Sequence, residues 1–544
     1  MRAIALPVAA LIAALAALPA DAGQAPWSPD RGDGTYRNPV LFADYSDPDA
    51  VRVGDDFYLV SSSFASVPGL PILHSRDLVN WTIIGHAVSR LPSPDFDTPQ
   101  HGKGIWAPSL RHHAGKFWIY VGDPDRGVYL TTAKDPRGPW TPLTLVKAAK
   151  GAIDPCPLWD DDGRMYLVHA WAKSRAGFNS VLTVTRLSSD GLRVEGPDTQ
   201  VFDGHANHPT IEGPKFYKRN GWYYIFAPAG GVATGWQTVL RARNILGPYE
   251  DRIVLRQGST AVNGPHQGAW VDTRSGESWF LHFQDRGAYG RVAHLQPMNW
   301  KNDWPVIGAD PDGDGVGEPV AEFRKPVLGG PMRTPQTSDD FDTALLGLQW
   351  QWNANPETDW HSLSARSGWL RLQATSRPAS SRSLFNQAAV LLQKLPAEEF
   401  EVSARIDASG LALGERAGLA VLGRDSASIA VERRPRGLVV VRSMGKNVDG
   451  DGADEDIGAE SGEFPATTAV TLRASFAKTG EVRFDVLDLD PKFAVPAPGF
   501  VLRPGVWVGA RVGLFASAAA SSPRRGHADV DWFRLSPIAP AGVQ

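Results

Sequence analysis

Short runs of aromatic and β-branched residues, each opened by a turn containing Gly or Asp and followed by a second run and another turn, recur five times along the chain. The copies begin at Gly54-Asp55-Asp56-Phe57-Tyr58-Leu59-Val60, Gly115-Lys116-Phe117-Trp118-Ile119-Tyr120, Gly163-Arg164-Met165-Tyr166-Leu167-Val168, Gly221-Trp222-Tyr223-Tyr224-Ile225-Phe226 and Gly276-Glu277-Ser278-Trp279-Phe280-Leu281, with starts 48 to 61 residues apart. Closing phrases repeat too: Ser75 to Trp81, Lys134 to Trp140 and Asn244 to Tyr249. No 3.6-residue apolar stripe runs through these units. A period of this length filled with short strands predicts radially stacked four-stranded sheets, and five of them make a five-bladed β-propeller. A sandwich would show alternating strands as well, but not the same turn chemistry once per blade-sized interval.

From Phe323 to Ser338 the pattern gives way to a Pro/Gly-rich stretch of the kind that links domains. Beyond it the repeat is gone. Ser428 to Ser443, around Arg434-Pro435-Arg436-Gly437, and Ala469 to Leu489, around Lys478-Thr479-Gly480, read as hairpins with alternating apolar positions, which predicts a β-sandwich. At 544 residues the chain is too long for one ordinary core. The expected organisation is all-β: a propeller over residues 23–330 and a sandwich over 338–544.

Residues 1–22 read as a signal peptide: Met1-Arg2, an apolar run from Ala3 to Leu18, then Pro19-Ala20-Asp21-Ala22 with a small-residue cleavage pattern. A secreted or periplasmic protein is the expectation, with no later segment resembling a membrane span. The single cysteine, Cys156, excludes an internal disulfide and reads as a small buried hydrophobe. The net charge of -4 carries no basic stripe, which removes the footprint that nucleic-acid binding needs. Nineteen tryptophans offer flat apolar faces against which sugar rings can stack. The sequence carries no signal of oligomeric state.

Three carboxylates sit in stiff local contexts, one in each of three propeller units: Ser46-Asp47-Pro48-Asp49, Ile153-Asp154-Pro155 and Ile211-Glu212-Gly213-Pro214. Each alone reads as an ordinary turn residue. In a propeller the first strand of each blade lines the axis, so all three can reach one cavity. Glycoside hydrolysis with inversion uses one carboxylate to deprotonate water and one carboxylic acid to protonate the leaving oxygen, about 6.5–9.5 Å apart. A third acid can raise the pKa of a neighbour.

These residues resemble glycoside hydrolase family 43, and more closely its two-domain β-xylosidase and α-L-arabinofuranosidase members. The resemblance rests on Tyr36-Arg37-Asn38-Pro39-Val40 leading to Asp47-Pro48, on Gly104-Ile105-Trp106-Ala107-Pro108-Ser109-Leu110, on Asp154-Pro155, Glu212-Gly213-Pro214 and Gly264-Pro265-His266-Gln267-Gly268. Asp339 to Asn353 resembles the start of the family's concanavalin-like β-sandwich. The resemblance implies Asp47 as general base, Glu212 as general acid and Asp154 as the residue that tunes and orients the acid. It further implies Phe64 and Trp106 as pocket walls, Arg291 as a substrate contact, and His266 at the propeller centre near a structural calcium ion. No cofactor is required for the chemistry. Histidine is a poor calcium ligand, so such an ion would be held mainly by water.

The implied activity is an inverting exo-glycosidase releasing terminal pentose, β-D-xylose, from plant cell-wall oligosaccharides. The alternatives are an α-L-arabinofuranosidase on the same scaffold and a non-catalytic carbohydrate-binding propeller. A retaining fructan hydrolase would need an Asn-Asp-Pro-Asn-Gly motif that is absent. Two departures from the commoner family pattern, Asp49 and Cys156-Pro157, are expected to reshape the pocket. The acidic loops Asp310 to Gly315 and Asp449 to Gly452 lack the Glu of an EF-hand and read as solvated surface.

Overall fold

A computed structural model describes residues 25–376, 383–446, 455–465, 469–490, 499–518 and 526–538. The leader at 1–22 and the loop Asp449 to Gly452 lie outside them. The five repeat glycines, Gly54, Gly115, Gly163, Gly221 and Gly276, all have φ between +65° and +88°, where a side chain is strained. Each turns the chain from the first to the second strand of a four-stranded antiparallel sheet. The closing phrases turn the third strand into the fourth. There the Asp77, Asp135 and Asn244 side chains accept amides two residues on, from Val79, Arg137 and Leu246.

The blades follow one another in the sequence. Blade 1 holds Asp49–Val53, Asp56–Val60, Gly69–Ser75 and Thr82–Val88; blade 2 holds Trp106–His113, Lys116–Asp123, Gly127–Ala133 and Thr144–Ala148. Blade 3 holds Ala152–Trp159, Met165–Trp171, Val181–Leu187 and Thr199–Asp203; blade 4 holds Lys215–Arg219, Trp222–Ala229, Trp236–Ala242 and Glu250–Leu255. Blade 5 holds His266–Asp272, Ser278–Asp285, Arg291–Lys301 and Trp304–Ile307. Apolar side chains fill each gap between neighbours; Phe57 and Leu59 of blade 1, for example, pack with Trp279 and Leu281 of blade 5. The ring closes through its ends: Thr35–Arg37 pairs with Glu322–Arg324, and Leu41 bridges to Ala293 of blade 5.

One local conformation recurs where every inner strand begins. Asp47, Ala107, Asp154, Gly213 and Gln267 have φ of 53°, 42°, 56°, 57° and 33°, and four of the five precede a proline. The fifth precedes Gly268, where an added Cβ would fall 1.7 Å from the Leu281 carbonyl oxygen. Ladder pairing slips at this point in blades 2, 3 and 5. Such bulges re-aim side chains at strand ends. Non-glycine residues held at positive φ are costly and cluster at sites where position matters more than local comfort. Two residues further along each strand, the ring Asp49, Ser109, Cys156, Lys215 and Ala269 is buried.

Beyond the propeller, two sheets pack face to face among the described residues. One runs Gln351–Trp352, Val390–Lys394, Arg511–Ala518, Arg416–Leu422, Ser426–Arg433, Leu438–Gly445, Glu455–Glu460; the other runs His361–Ser362, Leu370–Gln373, His527–Ser536, Phe400–Asp407, Val470–Phe476, Glu481–Val486, Phe500–Val501. Both predicted hairpins are present. Their inner faces share one core that includes Trp350, Trp352, Phe400, Phe476 and Phe533. The sandwich docks on the propeller through backbone pairing of Trp352 with Val67 and through Asn355, which bonds the Leu91 backbone at 2.8 and 3.1 Å. Among the described residues no helix is long and apolar enough to cross a membrane.

Candidate active site

The recurrent strand entrance brings the three predicted acids together. Asp47 and Asp154 occupy the left-handed position of blades 1 and 3, and Glu212 stands one residue before it in blade 4. Asp47 is 4% exposed and both of its oxygens accept hydrogen bonds, from Ser62 Oγ at 2.5 Å and Arg291 Nη1 at 3.0 Å. A carboxylate with donors on both oxygens and a guanidinium alongside is an acceptor, the form that a base requires. Ser62 is itself fixed by the Ala107 amide at 2.7 Å, which ties blade 1 to blade 2.

Asp154 is 2% exposed and accepts hydrogen bonds from the Gly213 amide at 2.8 Å and from the Gln267 side-chain amide Nε2 at 3.2 Å. Burial first, then the charges of Glu212 and Asp47, hold its carboxyl well above the usual carboxylate range; the Gly213 amide and the Lys215 ammonium pull the other way. Glu212 is the exposed member: its side chain is 30% accessible, while its Oε1 lies 2.9 Å from Nε2 of the wholly buried His266.

The predicted walls assemble beside the acids. Phe64 and Trp106 stand with ring centroids 5.7 Å apart, their backbones bridged through Ile105. Gly104 allows this approach, since a Cβ there would fall 2.4 Å from the Phe64 carbonyl oxygen. Arg291 begins the third strand of blade 5 and reaches the site through Asp47.

Four participants were not singled out from the sequence. Ser62 holds Asp47, and Gln267 holds Asp154. Trp507, on a sandwich loop, brings its half-exposed ring to 6.5 Å from Trp106. Lys215 begins the inner strand of blade 4, yet its Nζ donates to the Pro108 carbonyl of blade 2 at 2.9 Å and lies 4.0 Å from Asp49 Oδ2 of blade 1. It therefore crosses the axis. The Gln267 signal was present in the Gly-Pro-His-Gln-Gly motif, and Lys215 follows Glu212-Gly213-Pro214; the other two had none.

Asp49 and Cys156 are both wholly buried. Rather than shaping the pocket, they wire the inner strands together. Arg111 of blade 2 donates to Asp49 at 2.7 Å and to Cys156 Sγ at 2.9 Å, and its guanidinium lies over the Tyr217 ring of blade 4. Tyr217 in turn accepts the Trp270 amide of blade 5.

The protein side chains at the axis do not by themselves supply a calcium coordination shell. Calcium takes about six to eight oxygens. His266 offers nitrogen, its Nε2 is engaged with Glu212, and its Nδ1 is buried without a protein partner. Among the described residues it joins no group of three His, Cys, Asp or Glu side chains able to share an ion. The axis is crossed instead by the Lys215 ammonium and lined by the Arg111 guanidinium, both cations. Asp310, Asp312 and Asp314 do form such a group on the surface, but Arg256 lies 3.0 Å from Asp314 and supplies countercharge.

The sequence profile of glycosyl hydrolases family 43 matches residues 36–305, and that of the beta xylosidase C-terminal concanavalin A-like domain matches 338–536. A Xylanibacter ruminicola protein provisionally named a beta-xylosidase is 49% identical over 70% of this chain and 70% of its own. The non-reducing end alpha-L-arabinofuranosidase BoGH43B of Bacteroides ovatus is 30% identical over 92% of this chain and 94% of its own. Xylan beta-1,4-xylosidase from Bacillus halodurans superposes with a TM-score of 0.79 at 26% identity, covering 92% of this chain and 99% of that one. With the propeller, the sandwich and both profiles in agreement, the chain belongs to glycosyl hydrolases family 43 and is a glycoside hydrolase.

Proposed function

We propose that the protein is an exported, inverting exo-glycosidase that releases terminal β-D-xylose from plant cell-wall oligosaccharides. The observation that carries this reading is the division of labour among the acids. Asp47 is locked between two donors, Asp154 is buried and pushed toward its protonated form, and Glu212 alone keeps a partly open side chain.

In this reading Asp47 takes a proton from a water as that water's oxygen bonds to the anomeric carbon. The glycosidic C–O bond breaks, and the leaving oxygen receives the proton of Glu212. One proton enters the site and one leaves, so a single turnover passes the charge from one acid to the other and solvent resets both. Asp154, through its hydrogen bond to the Gly213 amide, orients Glu212. Exo action is supported by the sandwich, whose Trp507 ring stands beside the proposed pocket wall Trp106.

Xylose is favoured by the beta-xylosidase relatives, and arabinofuranose by the Bacteroides ovatus one. A panel of aryl β-D-xylosides and α-L-arabinofuranosides decides between the sugars, and hydrolysis of neither, with sugar binding intact, would favour a binding propeller. Proton NMR of the first-formed anomer tests the stereochemistry: α-xylose from a β-xyloside supports inversion, and β-xylose excludes it. Export is supported by the leader-like pattern at 1–22 and is tested by sequencing the N-terminus of the protein recovered outside the cytoplasm.

A further inference from the structure

We propose that Asp44 is a positioning residue that couples the Trp507 loop of the sandwich to the arginine that holds Asp47. Its carboxylate is 5% exposed and spans both domains: Oδ1 accepts the Arg291 amide at 2.9 Å, and Oδ2 accepts the Gly509 amide at 2.9 Å. Arg291 continues from that amide to Asp47. Gly509 is two residues past Trp507, which faces Trp106. One side chain thus sets the backbone behind the proposed base and the backbone behind an aromatic wall.

The packing around this carboxylate leaves it little alternative. A Cβ on Gly509 would lie 2.7 Å from the Gly290 nitrogen, and a Cβ on Gly290 would lie 2.5 Å from Asp44 Cβ. The two domains therefore meet backbone to backbone, and the Ala510 amide donates to the Ala288 carbonyl at 2.7 Å alongside. The Trp507 loop also rests on Gly102, where a Cβ would lie 2.4 Å from Val506. Two sandwich cations face the same junction: Lys394 Nζ donates to the Asp44 carbonyl at 2.7 Å, and Arg511 donates to Ser66 Oγ at 2.7 Å. A generic interface staple would need one bond to any part of the partner domain. Asp44 instead divides its two oxygens between the two amides that lead into the site.

The coupling is read by a double-mutant cycle in the full-length enzyme on an aryl xyloside, or on the arabinofuranoside should that be the better substrate. Asp44→Asn keeps one acceptor and turns the other into a donor. Expected are a KM raised about five- to tenfold and a kcat lowered by a similar factor, each the size of one lost positioning bond. Trp507→Ala is expected to raise KM alone. In the double variant KM should match that of Trp507→Ala, because Asp44 acts on KM through Trp507, while the kcat loss remains. Asn355→Ala, which removes two bonds elsewhere in the domain interface, should lower Tm and leave KM unchanged.

KM effects that multiply in the double variant, wild-type kinetics in Asp44→Asn, or the same KM rise in Asn355→Ala would each overturn the proposal. Should Asp44→Asn not fold, hydrogen exchange of the unaltered enzyme decides: slow, matched exchange of the Arg291 and Gly509 amides is expected, and rapid exchange of either contradicts it. The kcat arm rests on the reading of Asp47 as base. Full activity in Asp47→Asn would sink that reading and leave the KM arm standing by itself.

Discussion

The Gly213 amide donates to Asp154 Oδ2 at 2.8 Å, so the residue next to Glu212 is bonded to the acid that feels the Glu212 charge. Asp154 therefore sets the backbone of this dipeptide, while His266 holds the Glu212 side chain. Asp154→Asn keeps an acceptor for that amide but removes the titratable carboxyl. The expected loss in kcat/KM is about 10²–10³-fold, measured on an aryl glycoside.

The same substitution should stabilise the fold. Burial, followed by the Glu212 and Asp47 charges, raises the Asp154 pKa above its ordinary value of 3.8. The native state therefore binds a proton more readily than the unfolded chain, and the wild type loses stability as pH rises from about 4 through the raised folded value. Asn carries no such penalty. Melting curves should show Asp154→Asn about 1–3 °C above wild type at pH 7, with the gap closing near pH 4. A lower Tm at pH 7 would contradict the burial cost.

Arg291 contributes one of the two donors on Asp47, with a side chain only 10% exposed. Arg291→Met leaves a buried carboxylate with one partner, and such losses cost about 2–5 kcal/mol. Expected is a fall in kcat of about 10²-fold or more. Arg291→Lys, which keeps charge but not the planar fork, should recover only part of it.

Ser62 links Asp47 to the Ala107 amide. Ser62→Ala removes one hydrogen bond to a charged group, about 1.5–3 kcal/mol. A kcat loss of about 10- to 100-fold with nearly unchanged KM is expected from steady-state kinetics.

The axis carries Lys215 and Arg111 rather than a set of oxygen ligands. Exhaustive chelation should leave kcat unchanged and Tm within about 1 °C, since a ligand that binds only the native state shifts stability with its concentration. A Tm that falls on chelation and returns with calcium would contradict the assignment of the axis to these cations.

The propeller was legible because its turns are local. Each repeat glycine needs only its own positive φ, and each Asp or Asn of a closing turn binds amides two residues away. The three acids were legible for a related reason: the strand entrance recurs, so Asp47-Pro48, Asp154-Pro155 and Gly213-Pro214 mark equivalent places in three blades. What the sequence hid is long-range. Asp44 and Gly509 are 465 residues apart, and Asp44 and Arg291 are 247 apart. Neither pairing leaves a pattern in the chain. Asp49 and Cys156 stood out as departures from a motif, but their partner, Arg111, belongs to another blade and came to light only with the fold.

In the proposed mechanism Glu212 gives its proton to the leaving group while Asp47 activates water. The most direct measurement compares Glu212→Gln and Asp47→Asn on xylosides, or arabinofuranosides, with good and poor leaving groups. Glu212→Gln should lose about 10²–10⁴-fold on a poor leaving group and far less on an activated aryl group, which departs without a proton. Asp47→Asn should lose a similar amount on both. Equal losses on the two substrates for Glu212→Gln, or near-normal turnover by either variant, would rule out these roles for the two acids.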